Sequence, residues 1–300
     1  MRVFVTGASG YIGSATVKDL LEAGHHVVGL ARSEQGAAAV EAAGAEALRG
    51  TIQDLDLLRE AAAASDGVIH TAFNHDWSVW EQAAEDDRLV IEAFGETLAG
   101  SDRPLVVASG TALIGMGAGG AVITEETDAP DPMPVPRVSE QAALSFVDKG
   151  VRASAIRLAP TVHGVGDKGF VAMMIGLART KGVAAYIGEG ANVWPAVHRL
   201  DAARLFRLAL ESAPAGFRPH AAAEQGVPLR EIAEAIGRGL DVPVKSITDD
   251  EAEAHFGPFV RFARIDNPAA SLLTRERLGW QPEQPGLIAD LDAGHYFAQD

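Results

Sequence analysis

Three glycines at intervals of three, Gly7, Gly10 and Gly13, follow a short apolar run in MRVFVTGASGYIG. No other stretch restricts the fold so tightly. Gly7 permits a sharp exit from a strand, and Gly10 lets the backbone approach a pyrophosphate. Gly13 lets the next helix pack closely on a sheet. The amino end of that helix, near Tyr11 and Ile12, offers free N–H groups and the positive end of its dipole. The turn could be purely structural. Its place after a strand and before a helix favours a dinucleotide site formed by Gly7, Ser9, Gly10, Tyr11, Ile12 and Gly13.

Hydrophobic periodicity extends this start into an α/β chain. Short apolar strands are expected at 3–5, 26–30, 47–48, 68–71, 105–108 and 153–158. Amphipathic helices are expected at 12–23, 37–43, 54–64, 77–98 and 140–148. Such alternation predicts a Rossmann-type, doubly wound parallel sheet, with ligands at the carboxyl ends of its strands. The second half is less regular. Helices are expected at 170–181, 201–211, 229–238, 250–256 and 287–297, with strands at 184–187 and 242–247. Residues 128–136 carry four prolines and read as a rigid loop. The division expected is 1–160, mainly the nucleotide-binding part, and 161–300, mainly a smaller C-terminal lobe. Some later segments return to the first core.

Composition narrows the chemistry. The formal charge is −16, from 41 acidic and 25 basic residues, a field that repels nucleic acid and anionic membranes. The absence of cysteine excludes disulfides, thiol catalysis and thiolate metal sites. The apolar start is too short for a secretory signal, and no run approaches the about 18 apolar residues of a membrane span. A cytoplasmic protein acting on a small molecule is expected. No HxxxH pair or tight carboxylate cluster lies on one helix, so no metal is expected.

The second strand ends in Gly29-Leu30-Ala31-Arg32-Ser33. An NAD site usually has an acid there, on the ribose hydroxyls. Here Arg32 can pair with a 2′-phosphate and Ser33 can donate to it, which favours NADP over NAD. Arg32 could instead be a solvated charge beside an NAD site. Thr71 and Ala72 end the fourth strand, where small residues leave room for cofactor. His75 follows on the same rim and is a candidate substrate contact.

Together these features resemble the extended short-chain dehydrogenase/reductase superfamily, also called the NAD-dependent epimerase/dehydratase family. TGASGYIG resembles its cofactor loop, VVASGTALIG its fifth strand and IRLAPTVHG its LRPxxVYG segment. AVHRLD resembles HVxD, and LGWQP the late LGWxP. The resemblance covers nearly the whole chain. It implies about seven parallel strands, a small substrate lobe, Pro160 beside the nicotinamide and hydride-transfer chemistry, sometimes with epimerisation or dehydration of a nucleotide sugar. Relatives often pair through helices resembling 77–98 and 140–148, so a homodimer is expected.

The chain departs from the family at its catalytic centre. The family uses a tyrosine four residues before a lysine. Tyr11, Tyr186 and Tyr296 all lack that lysine. In the expected segment 134–141, one alignment puts Pro136 and Glu140 at the pair, and the other puts Arg137 and Gln141 there. The chain thus resembles the subgroup without the active-site tyrosine. Arg137 is a poor general acid but a good anion clamp. Glu140 could act as acid or base if burial raised its pKa, or could hold a ribose hydroxyl. Ser109 and Thr111, just past the fifth strand, could hydrogen-bond a carbonyl oxygen. His163 and His198 stand in the VYG-like and HVxD-like segments and could transfer protons or serve as scaffold. Asp201 is expected to cap the helix it begins. Tyr186 and Trp194 are candidate walls of a substrate pocket. The leading expectation is an NADP-dependent oxidoreductase of a small carbonyl or alcohol. A non-catalytic cofactor-binding regulator, or an isomerase or lyase on the same fold, is the alternative.

Overall fold

Runs rich in valine, isoleucine and phenylalanine make most of the central strands, and in the first half strands alternate with helices. The computed structural model describes residues 1–133 and 135–298. The first half runs β1 (Arg2–Thr6), α1 (Tyr11–Glu22), β2 (His26–Ala31), α2 (Glu34–Ala42), β3 (Glu46–Arg49), α3 (Leu55–Ala63), β4 (Gly67–His70) and α4 (Trp80–Leu98). It continues through β5 (Pro104–Gly110), α5 (Thr111–Gly115), α6 (Ser139–Leu144) and β6 (Arg152–Leu158). The second half adds β7 (Thr161–His163), α7 (Phe170–Lys181), β8 (Ala184–Ile187), β9 (Val193–His198), α8 (Arg199–Ser212) and β10 (His220–Ala221). It ends with β11 (Glu224–Pro228), α9 (Leu229–Leu240), β12 (Val244–Ile247), α10 (Asp249–Phe256), α11 (Val260–Ala263), α12 (Leu272–Leu278) and α13 (Leu287–Asp292).

The central sheet has the order β10-β6-β5-β4-β1-β2-β3. All its pairings are parallel, so the fold is a seven-stranded Rossmann-type sheet. The order reverses between β1 and β4, which opens a crevice at their carboxyl ends. One face is covered by α1 and α8, which bury Leu20, Leu205, Phe206 and Leu210 completely. Burying such a side chain contributes about 1.5–3 kcal/mol relative to leaving it in water. The other face is covered by α3, α4 and α6 around Phe4, Phe94 and Leu105. A third core, with Trp194, Phe256 and Phe259, belongs to the lobe. The lobe is built on two small sheets, β11-β9-β7 and β12-β8. Residues 199–221 leave the lobe and supply α8 and β10 to the central layers.

Several expected elements differ in detail. The helix expected at 140–148 stops at Leu144, where Ser145 bonds its side chain back to Ala142 O. A 3-10 turn then leads to Gly150 at φ +76°. The helix expected from Trp77 begins as a 3-10 turn capped by Asp76, and α4 starts at Trp80. The tail helix ends at Asp292. Strands β7, β9 and β11 lie where no strand was expected, because they pair mainly with one another, far apart in sequence. Pro134, in the segment expected to hold the catalytic pair, lies outside the described residues. No helix among the described residues is long and apolar enough to cross a membrane.

Candidate active site at the carboxyl ends of the sheet

The glycine turn has the shape a pyrophosphate requires. Gly7 adopts φ +70°, and its carbonyl accepts from Gly10 N at 2.8 Å. A side chain on Gly13 would begin only 2.0 Å from the Gly7 oxygen, so the helix can approach the turn only with hydrogen there. Gly10 begins α1 with no side-chain cap, which leaves the first N–H groups facing outward. Ser9 and Gly10 are exposed, while Tyr11 and Ile12 are half-buried. The cradle therefore fits a dinucleotide phosphate. Thr71 and Ala72 lie against this turn: Thr71 Oγ1 donates to Thr6 O at 2.8 Å, and Ala72 N to Thr6 Oγ1 at 3.4 Å. Pro160 follows β6 at the same rim of the sheet.

Arg32 stands exposed immediately after β2, with no ion pair or side-chain hydrogen bond among the described residues. Ser33 next to it is the N-cap of α2, its hydroxyl oxygen accepting from Gly36 N at 3.1 Å. Its hydroxyl hydrogen remains free to donate.

The chemistry-bearing residues separate into two groups. Arg137 and His75 both pack on Phe73 beside the carboxyl end of β5, the strand that carries the buried Ser109. Arg137 Nη2 donates to Ala108 O at 3.1 Å, which fixes the guanidinium beside the end of β5 next to Ser109. Arg137 Nε donates to Ser139 Oγ at 3.0 Å, and the guanidinium lies 4.0 Å over the Phe73 ring. Phe73 in turn meets the His75 ring edge-on at 5.0 Å. The His75 residue is exposed on its loop, but its imidazole is hemmed in by Phe73, Trp80 and Arg137. That enclosure, with the Arg137 charge second, lowers its pKa below the usual histidine value.

Behind Arg137 lies a buried relay that the sequence did not reveal. Ser139 Oγ donates to Asp87 Oδ2 at 2.6 Å. The other Asp87 oxygen accepts from His70 Nε2 at 3.2 Å, and His70 Nδ1 is 2.6 Å from Thr6 Oγ1. Burial alone would raise the Asp87 pKa. Bonding and charge from His70, Arg137 and Ser139 outweigh it and hold the carboxyl below its usual range. The relay links α4, the Arg137 loop and the strand that leads into the glycine turn.

The remaining candidates serve the scaffold. Glu140 is bound at both oxygens by Arg157, Nε at 2.8 Å and Nη2 at 2.6 Å, inside the protein. That bidentate pair occupies both of its carboxyl oxygens. Thr111 is fully buried and accepts from Asn267 Nδ2 at 3.0 Å, which closes it off from the crevice. His163 is buried, with Nδ1 2.8 Å from Asp290 and its ring edge-on to His198 at 5.4 Å. His198 Nδ1 accepts from Leu200 N at 3.3 Å and caps α8. Asp201 is therefore not the cap. Its carboxylate accepts from Glu283 N and Gln284 N, both at 3.0 Å, and so pins the residues that follow LGWQP to α8. Trp194 is 1% exposed and belongs to the lobe core, not to a pocket wall. Tyr186 packs under Arg230 at 5.2 Å, also within the lobe. No group of metal-ligating side chains occurs among the described residues.

Comparison with known proteins agrees with this geometry. The family model described as NAD dependent epimerase/dehydratase family matches residues 3–222. An uncharacterised protein of Schizosaccharomyces pombe is 53% identical over 99% of this chain and 100% of its own. The 2′-dehydrokanamycin reductase of Streptomyces kanamyceticus is 30% identical over 83% of this chain and 69% of its own. A solved structure of a dTDP-glucose 4,6-dehydratase from Streptomyces venezuelae, with NAD bound, has a TM-score of 0.78 at 20% identity. It covers 99% of this chain and 96% of its own. The glycine cradle, the seven-stranded sheet and a match spanning both place this chain in the NAD-dependent epimerase/dehydratase family.

Proposed function

We propose that the protein is an NADP-dependent reductase of a small carbonyl compound, with Arg137 taking the oxygen-polarising role that the family gives to tyrosine. The observation that carries this reading is the placement of Arg137. Its guanidinium is held at the end of β5 by Ala108 O and Ser139 Oγ, and not all of its N–H groups are used among the described residues. The nicotinamide supplies a hydride when bound. Arg137 Nη1 makes no hydrogen bond within the described protein, so it can donate to the carbonyl oxygen as negative charge grows there. Ser109 adds a hydroxyl from the same strand end. A guanidinium does not give up its proton at working pH, so the proton for the alkoxide comes by another route. His75, its pKa lowered by enclosure and then by the Arg137 charge, relays that proton from solvent to the oxygen. The name of the reductase from Streptomyces kanamyceticus supports reduction over epimerisation.

Arg32 supports NADP over NAD. It sits on the strand end where the adenosine ribose belongs, and an exposed arginine there can pair with a 2′-phosphate. Calorimetry with NADPH and NADH on wild type and Arg32→Ala tests this. Wild type should bind NADPH at least tenfold more tightly, and the variant should lose that preference. Equal binding of both cofactors by both proteins would remove Arg32 from the reading.

A further inference from the structure

Gly164 is gripped from two distant parts of the chain. Its carbonyl accepts from Tyr11 Oη at 3.2 Å, and its N–H donates to Tyr296 Oη at 3.1 Å. Tyr296 Oη in turn donates to Asp167 Oδ2 at 2.9 Å, and Asp167 Oδ1 accepts from Gly169 N at 2.6 Å. Tyr11 is the first residue of α1, inside the glycine turn, and Tyr296 follows α13. The loop that joins β7 to α7 is therefore clamped between the glycine turn and the segment after α13. Arg199, which begins α8, closes the same contact. Its Nη1 donates to Val165 O at 2.9 Å, and its guanidinium lies 5.0 Å over the Tyr11 ring. Gly164 is buried at φ +135°, and a side chain there would begin 3.0 Å from His198 Nε2. Only glycine lets the loop sit this close.

The segment that carries Tyr296 is itself anchored in the lobe. Arg179 of α7 donates from Nη2 to Tyr296 O at 3.1 Å. Phe297 lies against Gly239 of α9, where a side chain would begin 2.1 Å from its ring. Both aromatic residues pack on the lobe core. Neither Tyr11 nor Tyr296 replaces the family's catalytic tyrosine. Burial, then the Asp167 charge, pushes both phenols above the usual tyrosine pKa. They stay protonated at neutral pH, as donors to Gly164 and Asp167.

The consequence of the clamp is set by Tyr11. Its backbone N–H is one of the uncapped groups at the start of α1, where a pyrophosphate is bound. Fixing its side chain beforehand lowers the ordering cost when cofactor arrives. We propose that Tyr296 is a positioning residue for the dinucleotide: through Gly164 it holds Tyr11, and with it the glycine turn, in the shape that binds cofactor. This rests on the glycine turn as the cofactor site, and neither on the reductase reading nor on the choice between NADP and NAD.

The test is calorimetric titration of NADPH and NADH into wild type, Tyr11→Phe, Tyr296→Phe and the double variant, with thermal melts to confirm folding. The cofactor that wild type binds more tightly should bind each single variant roughly fivefold more weakly. The double variant should lose far less than the product of the two, since both substitutions release one loop. By linkage, cofactor should also tighten the clamp. Hydrogen exchange over residues 287–298 should slow when cofactor is added to wild type, and much less in Tyr11→Phe. A folded Tyr296→Phe with wild-type affinity, losses that simply multiply in the double variant, or exchange unchanged by cofactor in wild type would each overturn the proposal. If neither cofactor binds wild type, the proposal falls together with the cofactor site.

Discussion

At the scale of the residue, the proposed mechanism turns on Arg137. A tyrosinate can move a proton, whereas a guanidinium holds its charge and can only stabilise an oxygen. The surroundings of Arg137 suit that second task. A carbonyl and a hydroxyl orient the group, an aromatic face supports it, and Asp87 lies behind Ser139. The same charge acts on His75. Enclosure is the larger cause of its lowered pKa and Arg137 the next, so its protonated form becomes populated only below the usual histidine range. Following the His75 ring by NMR across pH should show a midpoint below 6.5 in wild type. The midpoint should move upward, part of the way back, in Arg137→Gln, where one repulsive charge is gone. A midpoint above 6.5 in wild type, or no movement in the variant, would separate the two residues. Burial also drives the pKa of His220 down to about 3, beside Arg157, so this histidine stays neutral inside the fold.

At the scale of the element, much was legible in the sequence where contacts are local. The spacing of the glycines and the caps predicted α1 to within a residue at each end, because a turn and a helix face are short-range patterns. Helix α7 and strand β8 fall where periodicity put them. The site itself was less legible. Asp87 lies mid-helix among other acids, and nothing local distinguishes it from Asp86. Only the packing of α4 against the sheet turns Asp87 inward to His70 and Ser139. Glu140 illustrates the converse. It stood in the right segment for chemistry, but β6 presents the fully buried Arg157 directly to it. Breaking one side of such a buried pair leaves the other charge stranded. Glu140→Gln should therefore destabilise the fold by about 3–5 kcal/mol. Urea unfolding would measure it, and a loss below about 1 kcal/mol would show that the pair is not an anchor between α6 and β6.

At the scale of the molecule, two halves meet over one crevice. The Rossmann half contributes the glycine cradle, Arg32 after β2 and Arg137 on the loop before α6, and Phe262 of the lobe packs on Trp77. The acidic surface makes the local positive sites necessary, since an anionic cofactor can approach this chain only where a helix end or an arginine faces it. The central claim is that the crevice reduces a carbonyl without a tyrosine–lysine pair. The most direct test uses NADPH deuterated at the transferring position of the nicotinamide, incubated with a panel of small aldehydes and ketones and the wild-type protein. The account predicts one alcohol formed per NADPH consumed, with deuterium on the carbinol carbon, and a rate lowered at least tenfold in Arg137→Met. NADPH that binds but is never consumed, or a product that forms with the cofactor unchanged, would contradict it.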